Sequence, residues 1–392
     1  MRVPLYLDIA GRSFGGWVRV RIERSVDSAC IQFGVGATRS WPGLEEDWWL
    51  QTFDRVEVRI YDFVICTGYI DRVAVVYDGQ SHDIELSGRG LVSDLVDCSY
   101  VGEPRQWKSG DPAEIIRTIA AQHDIEVTID ADLGEPLDFQ IQQGEECWAA
   151  IERLTRLRQV LAYEEPDGSL LITRGSDEFL DTRLIQGENI LRAVGTLDDK
   201  DRYSDYIVKG QQKSPKGAAD DDADEIPPEV ASFSVGEVKD ESVPRFRPLL
   251  LVQSANTDND NALERANWEK QNRWGKARKA EITVADWLMP DGSGPWPINR
   301  MVEVEDAWMG LDRQLAITAA TWDVSSEGLR TTLTLQPPEA LTPEPQDAEK
   351  STEANSGKGK SKSGGGAGGP SFWDQVAADR VQGEARRREA KQ

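Results

Sequence analysis

Residues 56–100 constrain the fold most, because two periodicities meet there. Val56, Val58 and Ile60 alternate with Arg55, Glu57 and Arg59, which sets one face of a strand on a core and the other in water. An apolar run, Phe63, Val64, Ile65 and Cys66, leads into Gly68-Tyr69-Ile70-Asp71, and a further strand-like run occupies 73–77. Asp78-Gly79 separates it from the run 82–86. Glycine accepts positive φ without steric cost, so Asp-Gly between two such runs predicts a tight hairpin. The period then changes: Leu91, Val92, Leu95 and Val96 fall at helical spacing. Any fold for this chain must therefore hold an antiparallel meander that feeds a short helical turn.

The flanking segments extend this to a mainly β, α+β chain. In 1–55, Val3, Leu5 and Leu7 alternate, Val18, Val20 and Ile22 alternate with Trp17, Arg19 and Arg21, and Ala29, Ile31 and Phe33 continue the pattern, with Gly15-Gly16 as a turn. Short strands at this spacing predict a first small β-barrel domain over 1–100. Residues 101–189 read as an inserted α+β domain. Asp111 before Pro112, with Glu114 three residues after the cap, starts a helix whose buried face is Ile115, Ile116, Ile119 and Ala120. A strand over 126–129, a helix over about 145–158 and a hairpin turning at Pro166-Asp167-Gly168 follow. Residues 190–340 predict a second β-barrel domain, interrupted by a flexible acidic loop at 211–243 and a polar helix at 258–279. No residue-level repeat links the two barrels, so any likeness between them is architectural.

After Pro337 the fold is expected to end. Residues 341–370, rich in Pro, Glu, Lys, Ser and Gly, form a flexible linker. Residues 371–392 form an amphipathic segment in which Phe372, Trp373, Val376 and Val381 are the candidate partner-docking residues. So short a helix is marginal alone and needs a partner surface.

Composition narrows the function. A formal charge of −24 over 392 residues argues against specific nucleic-acid binding, which needs clustered Lys and Arg, and against an anionic membrane surface. No apolar run reaches the length of a membrane span and no leader pattern opens the chain, so neither insertion nor independent secretion is expected. Cys30, Cys66, Cys98 and Cys147 are too widely spaced for a metal site and read as reduced core residues. The only histidines, His82 and His123, have no ligand spacing and no nucleophile motif beside them. The carboxylate pairs Glu145-Glu146, Glu164-Glu165 and Asp198-Asp199 are what so acidic a chain produces by chance, rather than the facing pair a glycosidase needs. No glycine run is a phosphate loop. No catalytic residue, cofactor or metal is assigned, and the chain reads as a non-enzyme. Trp41, Trp48 and Trp49 could stack on a sugar, but a loop packed on the barrel or a neighbour explains them as well.

Two stretches carry a family resemblance. "ELSGRGLVSDLVDCSYV", preceded by "GYIDRV", and "QQGEECWAAIERLTRL" followed by "LAYEEPDGSLLITR" resemble the baseplate hub proteins of contractile-tailed phages, of the Mu-like and P2-like type. The likeness runs over about 1–340. It implies a homotrimer in the virion tail, made and assembled in the host cytoplasm, in which each subunit gives two similar barrels. Three subunits would form a pseudo-sixfold ring joining a hexameric tail tube, or its initiator, to a trimeric central spike protein. Such a ring is a simple adapter between the two symmetries. The acidic insertion and the C-terminal extension depart from the simplest pattern, and the extension would contact other baseplate proteins. The alternatives are a tail-associated peptidoglycan hydrolase and a glycan-binding tail-tip protein.

Overall fold

The computed structural model describes residues 3–38, 50–77, 82–211, 233–256, 259–325 and 328–341. It resolves into two compact units: 1–195 with 279–305 and 314–341, and 196–278 with 306–313.

The first unit opens with β1 (Leu5–Ile9), β2 (Arg12–Phe14), β3 (Arg19–Ser25), β4 (Gln32–Thr38), β5 (Arg55–Ile60), β6 (Phe63–Tyr77) and β7 (His82–Gly90). The period-two pattern is obeyed from Arg19 onward: Val20, Ile22, Val56, Val58, Ile60, Ile84 and Leu86 are buried, while Arg19, Arg21 and Glu23 face out; just before β3 it fails, Trp17 being buried and Val18 exposed. The meander read from 56–90 is present, with β5, β6 and β7 antiparallel in turn. Residues 78–81, where Asp78-Gly79 was expected to turn, lie outside the described residues.

The helical turn after β7 is α1 (Ser93–Asp97), with Val92 and Leu95 fully buried. It enters an α+β layer built from β8 (Gln106–Gly110), α2 (Pro112–Ala120), β9 (Val127–Asp130), β10 (Leu137–Gln140), α3 (Cys147–Arg158), β11 (Leu161–Glu164) and β12 (Leu170–Thr173). Asp111 caps α2, its carboxylate accepting from the Ala113 N–H at 3.3 Å with Pro112 at the first helical position. Ile115, Ile116, Ile119, Cys147, Ile151, Leu154, Leu170 and Ile172 close one core. Helix α3 begins two residues later than its apolar spacing suggested. Glu145 stays outside it, accepting the Gln142 N–H at 2.7 Å and pairing with Arg153 at 3.0 Å.

Beyond this layer come β13 (Phe179–Ile185) and β14 (Ile190–Leu197). The second unit is a small sheet of β15 (Asp205–Gln211), β16 (Phe233–Lys239) and β17 (Pro248–Asn256), in the order β16-β15-β17, with α4 (Asn259–Lys276). Its core is Tyr206, Val208, Ala262 and Ala266. Gly236 is required there, since a Cβ would stand 2.2 Å from the Ala262 backbone. The acidic stretch expected to be loop throughout 211–243 therefore contains a strand. β16 pairs with β15 along its whole length, and that pairing satisfies backbone groups which the polar surroundings in sequence left unassigned. Residues 212–232 lie outside the described residues.

The chain returns to the first unit with β18 (Arg278–Ala285), β19 (Met301–Asp306), β20 (Leu311–Ser325) and β21 (Gly328–Gln336). These do not form a sheet apart from β1–β7, because β20 pairs antiparallel with β3, Trp322 opposite Ile22, both fully buried. One 13-stranded sheet results. The strand order on one side of the seam is β3-β4-β7-β6-β5-β1, with the three-residue β2 added beyond β1, and on the other β14-β18-β21-β20-β19-β13. The two orders are the same once β14 is matched to β3, β18 to β4, β19 to β5, β20 to β6, β21 to β7 and β13 to β1. Strand lengths agree as well: β5, β6 and β7 have 6, 15 and 9 residues, and so do β19, β20 and β21. Each 15-residue strand has a register shift near its middle, between Ile70 and Arg72 in β6 and between Ile317 and Ala319 in β20. The last pair differs in direction, β1 running antiparallel to β5 and β13 parallel to β19.

Candidate assembly surfaces

A buried polar cluster in the first unit is centred on Glu164, the last residue of β11. Its side chain is buried, and its two carboxylate oxygens accept the Ile31 N–H at 2.8 Å and the Val92 N–H at 3.0 Å. Gly90 makes room for it: a Cβ at that position would lie 1.8 Å from Oε2. Burial raises the Glu164 carboxyl to about 7, against the N–H donors and Arg24, which favour its charge. Arg24, on β3, donates to the Glu164 carbonyl at 3.4 Å, pairs with Glu165 at 2.7 Å and lies over the Tyr163 ring. Asn299, between β18 and β19, donates to the Tyr163 hydroxyl at 3.3 Å and the Arg174 carbonyl at 3.0 Å, and accepts the Ser176 N–H at 2.9 Å. One cluster thus fastens the α+β layer to strands from both six-strand blocks. Sequence reasoning noticed Glu164-Glu165 only as an adjacent acid pair, since the donors that hold it come from residues 72 and 133 positions away.

The other expected acid pairs are also bound by the chain itself. Asp198 pairs with Lys200 and Asp199 with Arg202. Gln122 Nε2 lies 3.0 Å from His123 Nε2, and Gln122 also donates to the Ser99 carbonyl and accepts the Val101 N–H, so His123 sits in a backbone-fixing arrangement. All four cysteines are free. Burial pushes the thiols of Cys30 and Cys147 up to about 12 and about 11, and raises those of Cys66 and Cys98, which makes them poor nucleophiles. Among the described residues no group of His, Cys, Asp and Glu is placed to hold a metal ion, and no helix is long and apolar enough to cross a membrane. Phe372, Trp373, Val376 and Val381, together with Trp41, Trp48 and Trp49, lie outside the described residues.

What the surface does offer is sheet edge. Among the described residues, β6 beyond Ile70 is paired only with β7, and β14 only with β18 apart from a bridge between Gln186 and Ile190. Val75 on β6 is 61% exposed and Leu191 on β14 is 51% exposed.

Comparison with known proteins agrees with this construction. Residues 4–90 match the family described as Mu phage baseplate assembly protein GpP-like, N-terminal. Residues 92–174 match baseplate hub protein gp44-like, second domain, and 258–344 match Mu phage baseplate assembly protein GpP, fourth domain. The chain is 29% identical over 356 residues to baseplate hub protein gp44 of Escherichia phage Mu, covering 88% of this chain and 92% of that protein. It is also similar to the crystal structure of the 43 kDa tail protein of prophage MuSo2 from Shewanella oneidensis. That likeness has a TM-score of 0.75 at 28% identity, over 86% of this chain and 99% of the other. The tail protein from Neisseria meningitidis MC58 shares the fold, with a TM-score of 0.69 at 22% identity over 88% and 99% of the two chains. Matches to three hub domains in order, and a Mu-type relative aligned nearly end to end, place the chain among the baseplate hub proteins of Mu-like phage tails.

Proposed function

We propose that this hub protein acts as a homotrimeric adapter in the virion, set between the hexameric tail tube and the trimeric central spike, with no catalysis of its own. The observation that supports this most directly is the repeated strand order. Each subunit carries two six-strand blocks of one architecture, which we read as two barrel-like modules flanking the α+β layer. Three subunits then supply six similar modules and three copies of everything else, so one ring can meet a sixfold partner and a threefold one. Glu145, Asp198 and Asp199 are ion-paired within the chain to Arg153, Lys200 and Arg202, which favours a structural role over peptidoglycan cleavage. The terminal segment bearing Phe372, Trp373, Val376 and Val381 is assigned to docking on other baseplate proteins. The test is the native mass in solution, alone and with its spike protein. A trimer that binds a trimeric spike supports the reading, and a subunit that stays monomeric at every concentration and with the spike overturns it.

A further inference from the structure

Within one chain the two six-strand blocks are joined by a single seam. The second half of β20 pairs with β3, five residues from Ala319 to Asp323 against Arg21 to Ser25, antiparallel. The bulge at Thr318 serves this seam: its carbonyl accepts the Val26 N–H at 2.9 Å and the Ser25 hydroxyl at 3.3 Å. The first half of β20 belongs to its own block, through β19.

Each partner in that seam has a counterpart in the other block. The counterpart of β20 is β6, whose first half pairs with β5 up to Tyr69 and whose second half begins after a bulge at Asp71. The counterpart of β3 is β14, next to β18 as β3 is next to β4. Aligned on their bulges, Thr318 falls on Asp71 and the buried Trp322 on Val75. Trp322 is fully buried in the seam, whereas Val75 is 61% exposed. The inward residues of β3, Val20, Ile22 and Arg24, are buried, whereas no residue of β14 is buried and Leu191 is 51% exposed. Among the described residues no strand pairs with the outer edge of β6 from Arg72 onward, nor with the outer edge of β14 beyond Ile190. The same joint is thus made once and left unmade once, with its two halves on opposite blocks.

We propose that the unmade joint closes between copies: the second half of β6 takes β14 of a second copy of this chain, antiparallel, as β20 takes β3 within one chain. This inference rests on the trimeric reading above and deepens it by naming the interface. Applied head to tail, the rule alternates an internal β20–β3 seam with an intermolecular β6–β14 seam. Closure after six blocks, from three subunits, is the count that the trimeric reading requires of it. Both edges would then be covered, which removes the exposed ladder groups that otherwise invite uncontrolled pairing. A contact between two different surfaces generates a ring only if the rotation closes.

The experiment is light scattering on the full chain and on two variants, Val75→Glu and Leu191→Glu. Both side chains are exposed in the single subunit, so each variant should melt with the same cooperativity as the parent subunit. A charge placed in a β6–β14 seam opposes pairing, and each variant alone should show a threefold drop in mass where the parent is trimeric. Mixed together, the two variants should form a one-to-one dimer and no larger ring, because one retains an intact β14 edge and the other an intact β6 edge. Variants that remain trimeric, or monomeric variants that fail to pair on mixing, overturn the inference while leaving a trimeric hub intact. A parent chain that is itself monomeric throughout is the separate failure of the adapter reading.

Discussion

Glu164 is where one side chain bears most on the assembly of the subunit. Its carboxyl is enclosed by the Gly90 cradle and two backbone N–H donors, and burial lifts it from an ordinary carboxylate value to about 7. The folded chain therefore holds a proton there that the unfolded chain releases near pH 4.5. Stability from this group is full below about 4.5 and is lost as pH rises through about 7. The size of the effect is on the order of 3 kcal/mol, at about 1.4 kcal/mol for each pKa unit. Comparing unfolding free energies of the parent and Glu164→Gln between pH 4 and pH 8 checks this. The parent should lose stability relative to the variant across that window, and parallel curves would contradict the assignment. The variant is also expected to be less stable overall at its most favourable pH, since an amide nitrogen cannot accept the second N–H.

At the scale of elements, local chemistry and distant pairing divide the work. α2 is specified locally: Asp111 caps it, Pro112 opens it, and Ile115, Ile116 and Ile119 bury one face. Asp111→Ala should cost about 1 kcal/mol in urea unfolding without altering the fold, the usual loss when an N-cap acceptor is removed. The strands differ. β13 carries weak alternation and is held by a partner remote in sequence, running parallel to β19, about 120 residues away. Sequence periodicity reports burial on one face, so a strand half exposed on both faces, such as β14, has little periodic signal to offer. The blocks' common strand order escaped the sequence for a related reason. Their matched positions hold different residues, the exposed Val75 against the buried Trp322, and pairing made by the backbone does not require them to agree.

For the whole molecule, the two-block arrangement separates what trimerises from what docks. Both halves of the proposed seam lie in residues 70–77 and 190–197, far in sequence from the terminal segment. Deleting 341–392 is therefore expected to leave the trimer mass unchanged, less the deleted residues, while reducing incorporation into baseplates. Measuring native mass of the truncated chain and counting complete tails assembled with it checks both halves of that statement. Normal assembly without the segment would remove Phe372, Trp373, Val376 and Val381 from the docking role. The high negative charge adds a general preference for basic partners and is screened within about 10 Å at 0.1 M salt, so it steers encounters rather than fixing the interface.

The sequence by itself determined the strand-rich class, the meander of 55–90, the capped helix at 112–120 and the hairpin around Gly168, because each depends on neighbours within a few residues. It also carried the family, through ordered stretches such as residues 85–101 and 142–174. Only the tertiary structure decided that Glu164 is a clasp rather than one more surface acid. The same holds for β20 crossing to β3 so that two blocks become one sheet, and for β6 and β14 keeping bare edges. Those outcomes depend on backbone groups 70 to 300 residues apart being brought within hydrogen-bond distance. Hydrogen bonding between strands is blind to side-chain identity, and a single sequence therefore carries no local mark of which edges will meet.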